Sequence, residues 1–343
     1  VYKPTYARME GMSEKGWGQR TYADYTNRQI EAYLTYDRFF GKDHHLNLMG
    51  GYSYLNNMNE GFGSTRSGFD TNAFGYNNLA AGTDYRQTDV YSYKTEATLV
   101  SFFGRVNYGF MNRYMLTATL RRDGSSRFGD NHKWGTFPSV SVAWRVSDEP
   151  FMQATSGWLE NLKVRFGFGV TGNQNGIGEY KSLSILSASG AAYYDPISKT
   201  WKNAYVQAQN ANPDLKWEST KQWNLGIDFT LFSRLTGTLE LYHKKTSDLL
   251  WTYPVPQPPY LVGTMLANVG DLVNKGVELT LGANILKNKD FSLDANMSLS
   301  YNHQKITKLS NDQYQAVGLQ AGSLHNLRGM SNRYSQVIKE GYA

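Results

Sequence analysis

Between Tyr114 and Val146 the chain reads YMLTATLRRDGSSRFGDNHKWGTFPSVSVAWRV, two runs of alternating side chains joined by a loop rich in Gly and Asp. Leu116, Ala118 and Leu120 alternate with Thr117, Thr119 and Arg121; Val140, Val142, Trp144 and Val146 alternate with Ser139, Ser141, Ala143 and Arg145. A period of two divides side chains between the faces of a strand. Asp123-Gly124-Ser125-Ser126 supplies turn chemistry, so the stretch predicts a long β-hairpin. The constraint lies in its polar face. Thr, Ser and Arg stand where a soluble sandwich needs its core, opposite a face that is continuously apolar. A wall between lipid and a watery interior has this composition.

The pattern recurs. Further alternating runs occupy residues 28–37, 46–54, 100–108, 162–171, 223–231, 235–242, 277–284 and 291–302, which brings the expectation to about ten strands. In this register Val142, Phe166, Ile227, Leu279 and Leu293 face lipid. Arg145, Arg165, Asp228, Glu278 and Asp294 face the interior. Short links near Arg38, Asn112, Ser233 and Asn288 alternate with long polar segments over residues 56–95, from the end of the 162–171 strand to near Thr220, and 246–275. Residues 1–25 and the tail from Lys305 read as loop, and Ser147-Asp148-Glu149-Pro150 opens a linker with room for one short helix. Alternation of short turns with long loops predicts an antiparallel transmembrane β-barrel, short turns on the periplasmic side and long loops outside.

Composition agrees. No apolar run approaches the length that a membrane-crossing helix needs, but barrel strands are short and only half apolar. The net charge of +6 is dispersed, which argues against a nucleic-acid partner. Val1-Tyr2-Lys3-Pro4 lacks the basic-then-apolar opening of a signal peptide, so the chain is expected to begin inside a longer protein.

Four segments carry a resemblance. They are RRDGSSRFG with WGTFPSVSVAWR, then Phe166-Gly167-Phe168-Gly169-Val170-Thr171-Gly172-Asn173-Gln174, then Asn212-Pro213-Asp214-Leu215-Lys216-Trp217-Glu218, and finally Asn268-Val269-Gly270 with Asn274-Lys275-Gly276-Val277-Glu278. In this order they resemble the SusC/RagA family of TonB-dependent outer-membrane transporters, over residues 95–300. The resemblance implies an all-β barrel of twenty-two strands, so residues 1–343 are expected to be a partial barrel with long extracellular loops. The family's plug domain and TonB box are not found in this chain. The resemblance further implies a non-enzymatic protein of the Gram-negative outer membrane, set in its lipid. Its expected activity is active import of oligosaccharides or peptides. Its expected partners are a SusD-like surface lipoprotein, TonB acting through the absent N-terminal region, and a dimer of transporter–lipoprotein pairs. The alternative readings are a complete ten-stranded outer-membrane protease, or a passive porin or adhesin.

Candidate site residues fall into two groups. In the motif loop, Arg121, Arg122 and Arg127 either bind an anion or pair with loop carboxylates, the second being favoured. Asp123 and Asp130 read as turn caps rather than calcium ligands. His44-His45 point to opposite faces of a strand and cannot chelate one metal together. Gly167–Gly172 fits GxGxxG, but no helix start follows to hold a pyrophosphate, and no cofactor is expected. The second group is aromatic: Tyr193, Tyr194, Trp201 and Tyr205 in one long loop, and Trp251, Tyr253 and Tyr260 among prolines in another. Flat rings bind sugars and peptides, and they also pack between loops or against a partner; both readings stand.

Overall fold

The computed structural model describes residues 1–4, 15–316, 318–324, 330 and 333–342. Ten long strands carry the fold: β1 Trp17–Phe40, β2 His44–Phe69, β3 Val90–Phe110, β4 Tyr114–Ser125, β5 Trp134–Arg145, β6 Leu159–Asn173, β7 Glu218–Leu231, β8 Leu235–Pro254, β9 Thr264–Lys287 and β10 Ser292–Lys308. They follow one another in chain order across a single sheet, with Tyr2–Lys3 added beside β1 and Gly82–Asp84 beside β2. The sheet runs from edge to edge without closing on itself, a partial barrel. By contacts the chain divides into two units: residues Val1–Ile30, Tyr54–Leu99 and Ile185–Ala208, and residues Glu31–Ser53, Val100–Ser184 and Gln209–Ala343.

The smaller unit holds the outer parts of β1 to β3, where Asn56 Nδ2 donates to Glu96 Oε1 at 2.7 Å and Tyr2 meets Phe69 edge-on at 5.5 Å. It also holds a separate hairpin, Ile185–Asp195 with Thr200–Gln209. Lys202, Ser198 and the Ile197 amide converge on the Asp195 carboxylate and hold its pKa down to about 2, so the hairpin's turn stays charged and closed.

In the larger unit the two faces of the sheet separate cleanly. Trp144, Val164, Ile227, Leu239, Leu279 and Leu299 stand opposite one another from β5 to β10, and Val142, Phe166, Leu225, Leu241, Val277 and Tyr301 form the next row. The other face carries Arg165, Gly226, Glu240, Glu278 and Ser300 in register. There Arg165 Nε and Nη2 donate to the Asp228 carboxylate at 2.7 and 3.0 Å, and Nη2 reaches Glu240 Oε1 at 2.8 Å. The guanidinium crosses over Gly226, where an added Cβ would lie 2.9 Å from Cζ, so a side chain there would push the arginine off its bonds to Asp228 and Glu240.

One end of the strands is closed tightly. Met111 with Asn112, and Phe232 with Ser233, take positive φ in paired left-handed turns, the hairpin geometry that matches strand twist. Beside them the rings of His44, Phe110, Tyr114, Trp144 and Phe151 follow one another at 4.9, 6.1, 6.4 and 6.4 Å. Glu149, buried, accepts from Tyr114 Oη at 2.5 Å and Trp144 Nε1 at 2.9 Å. The linker after β5 forms two 3-10 turns, Val146–Asp148 and Pro150–Thr155, which is the short helix expected there; Val146 leaves the strand and is buried.

The strands run further than their alternation shows. β2 reaches Phe69 and β3 starts at Val90, so much of the expected 56–95 loop is strand. The expected loop over residues 246–275 shrinks to nine residues, 255–263, between β8 and β9. A register shift between Thr246 and Leu249, with Asp248 at φ 62, hides that extension from a period-two reading. At the N-terminus strand begins at Trp17, and residues 5–14 of the expected loop lie outside the described residues. The tail beyond β10 adds the pair Leu319–Ser323 and Tyr334–Ile338.

Candidate functional site

At the long-loop end of the larger unit the four motif segments meet. The loop between β4 and β5 inserts Phe128, 1% exposed, against Trp217 at a ring distance of 4.5 Å, and Trp217 meets Phe137 edge-on at 5.4 Å. Leu215, two residues before Trp217, is 0% exposed. Backbone follows side chain: Gly129 N donates to Leu215 O at 2.9 Å, and Trp217 Nε1 donates to Lys133 O at 3.1 Å. A Cβ on Gly129 would sit 1.9 Å from Pro213 O, so the loop reaches this approach only with glycine.

Two asparagines tie the 212–218 segment to β9. Asn212 Nδ2 donates to Leu266 O at 2.7 Å. Asn268 brackets one residue, its Oδ1 accepting from Lys216 N at 2.9 Å and its Nδ2 donating to Lys216 O at 2.7 Å. Its amide thus substitutes for a neighbouring strand. Glu218 joins two more segments, accepting from Leu250 N at 2.9 Å and Asn173 Nδ2 at 2.7 Å, while Ser125 Oγ donates to Gln174 Oε1 at 2.6 Å.

Beside this assembly opens a polar cavity of about 400 Å³, lined by His132, Asp214, Lys216, Tyr260, Gln313 and Tyr314 among others. Burial, followed by the nearby Tyr260 and Asp214, pushes the Tyr314 phenol up. Next to it Tyr253, Met265, Ala267, Val269 and Tyr314 form a buried cluster against which Trp251 and Tyr260 pack.

The expected site residues separate by role. Tyr253 is 0% exposed, its phenol pushed up by burial and donating to Leu309 O at 3.0 Å; its ring is core and offers no face to a ligand. Tyr260 lines the cavity, whereas Trp251 is half-buried and packs against the Tyr253 cluster. Tyr193, Tyr194, Trp201 and Tyr205 stand exposed on the hairpin of the smaller unit, Trp201 70% so, with Tyr194 edge-on to it at 5.6 Å. Arg121 Nε donates to both oxygens of Asp123 at 2.8 and 2.9 Å, and Arg127 Nη2 donates to Glu179 Oε1 at 2.8 Å. Arg122 lies over the Trp134 ring at 5.5 Å. Asp130 pairs with Lys133 at 2.6 Å. His44 and His45 take separate partners, Tyr108 Oη and the Asp37 carboxylate. Gly167 and Gly169 lie within β6 opposite Ser141 and Ser139, and the strand continues to Asn173.

Sequence reasoning missed Asn212, Asn268 and Tyr314 as parts of the site. The two asparagines stood in the motif segments, but nothing local marks which carbonyl they reach.

Comparison with known proteins agrees with this architecture. The family described as TonB dependent receptor-like, beta-barrel, matches residues 4–336. The chain is 38% identical to TonB-dependent receptor P3 of Formosa agariphila over 100% of its own length and 33% of that protein's. It is 39% identical to TonB-dependent receptor SusC of Bacteroides thetaiotaomicron over 74% of its length and 25% of that protein's. Its fold superposes on the RagAB peptide transporter with a TM-score of 0.80 at 25% identity, covering 99% of this chain and 35% of that one. The chain thus spans a third or less of the curated relatives it matches. A sheet of sequential long strands, four motif segments joined at one end and a match along nearly the whole length place the chain in the SusC/RagA group of TonB-dependent receptors, of whose β-barrel it forms a part.

Proposed function

We propose that the chain forms part of the wall and extracellular rim of an outer-membrane importer that takes up oligosaccharide or peptide fragments. The observation that carries this reading is the cavity beside the motif assembly. Tyr260 supplies ring surface there, backed by the largely buried Tyr314, while His132, Asp214, Lys216 and Gln313 supply hydrogen-bonding groups. Flat rings with a few placed polar groups are what a sugar ring or an extended peptide needs from a capture site. Relatives named as TonB-dependent receptors, and a structural neighbour named as a peptide transporter, support import over the protease, porin and adhesin readings. A SusD-like lipoprotein would cover the long-loop end, and TonB would act through the family's N-terminal region. The exposed rings of Tyr193, Tyr194, Trp201 and Tyr205 suit either a ligand or that lipoprotein.

In the full-length transporter, Tyr260→Ala is expected to weaken ligand binding several-fold, the loss of about 0.5–1.5 kcal/mol of ring contact. The amount of protein in the membrane should not change. Trp251 packs on the loop core, which favours a second role in seating the partner. Trp251→Ala should then lower recovery of the lipoprotein on co-purification and spare ligand affinity in the complex that remains. Unchanged binding and unchanged partner recovery for both variants would sink the assignment.

A further inference from the structure

The apolar face ends in a basic field. Lys221, Lys245 and Lys305 lie in one cross-strand row, with Val273 between the last two. The row nearer the tight turns is Trp223, His243, Lys275 and His303. Alternation along each strand puts all of these on the face that carries Leu225, Leu241, Val277 and Tyr301. The four lysines and His303 are exposed, and His243 stacks on Trp223 with ring centroids 5.5 Å apart and 10° between planes. Asp271, 3.3 Å from Lys245, is the one carboxylate paired with this field among the described residues.

Position along the strand is informative. Counted from the Leu231–Leu235 pair at the tight turn, Trp223 is eight residues up and Lys221 ten. At about 3.4 Å per residue and a tilt of about 45°, the two rows stand about 19 and 24 Å above that turn. The apolar band of an outer-membrane barrel is about 25 Å tall, so the basic rows coincide with its outer boundary. Beneath them runs an apolar groove of about 630 Å³ bounded by Trp223, Leu225, Leu241, Val277, Tyr301 and His303.

Cations at the headgroup level above an apolar groove match one kind of occupant. We propose that this face binds the phosphate-bearing headgroup of an outer-leaflet lipid, with an acyl chain lying in the groove. Each lysine is a point charge suited to phosphate oxygens, and Trp223 sits at the boundary where amphipathic rings are favoured. The charge complementarity selects a lipid whose phosphate charge is unbalanced over a zwitterionic one, and the groove selects a lipid over free phosphate.

The test uses the full-length protein in detergent, with phosphatidic acid as the net-anionic phosphate probe and phosphatidylcholine, whose phosphate is balanced by choline, as the zwitterionic control. Phosphatidic acid should raise the melting temperature of the unaltered protein, and phosphatidylcholine should not. The combined variant Lys221→Gln, Lys275→Gln and Lys305→Gln should bind phosphatidic acid tens- to a hundred-fold more weakly at low salt, at about five-fold per lysine. The corresponding arginine variant should retain binding, which separates loss of charge from loss of folding. Lys163→Gln and Lys244→Gln, on other parts of the sheet surface, should leave it unchanged. Equal binding by the glutamine variant, or displacement of the lipid by millimolar inorganic phosphate alone, would overturn the proposal.

Discussion

Phe128→Ala should destabilise the long-loop end by about 3–5 kcal/mol, the usual cost of removing a buried ring that cannot be replaced by collapse. Phe128 is almost wholly buried, and its ring lies on Trp217. Around that ring the loop is tied to the 212–218 segment by Gly129 N donating to Leu215 O, Asn131 N donating to Pro213 O and Trp217 Nε1 donating to Lys133 O. The loop should release as a unit while the strands remain, because strand pairing does not pass through it. In intact cells the loop should become sensitive to trypsin at Arg127 and Lys133, with unchanged strand content. Gly129→Ala should give the same phenotype by another route, since its Cβ would collide with Pro213 O. A variant with a protease-resistant loop would show that the motif assembly is not what holds it.

The second large effect concerns the wall. Leu279 lies opposite Leu239, four residues from the pair Leu235–Ala283 at the tight-turn end, or about 10 Å up a tilted strand. That is close to the middle of the apolar band. Leu279→Arg should therefore cost about 2–4 kcal/mol when the full-length receptor refolds into lipid vesicles. Glu278→Arg, one residue away on the polar face opposite Glu240, should be tolerated with little loss. Similar costs at both positions would contradict the separation of faces.

The parts of this fold that were legible in the sequence are those where the two faces meet different surroundings. Along β7 to β10 each step reverses the side chain's neighbourhood, so Leu225, Leu241, Val277 and Tyr301 could be placed on one face from alternation alone. Toward the long-loop ends the two faces no longer divide between apolar and polar surroundings, Tyr253, Met265 and Ala267 packing into a core there, and the period disappears although pairing continues. For that reason β2 and β8 run past where alternation ends, the latter across the shift at Asp248. The same shift concealed that Tyr253 turns into a core instead of toward solvent. The motif segments were visible as text, but their physical logic was not. Asn268 reaches Lys216 across 52 residues of sequence, and no local rule specifies such a pairing. The rings of Tyr193, Tyr194, Trp201 and Tyr205 were read as belonging to one long loop; they are exposed, but on the two paired strands of a hairpin, whose polar sequence hides its period.

The central claim is that this sheet is a membrane wall with its apolar face toward lipid. A nitroxide scan over residues 276–282 of β9, in the full-length receptor embedded in lipid, tests it most directly. Collision with dissolved oxygen should peak at Val277, Leu279 and Leu281, and collision with a water-soluble nickel chelate should peak at Glu278 and Thr280, as the cross-strand register places them. Oxygen maxima at Glu278 and Thr280, or profiles without a two-residue period, would contradict the account.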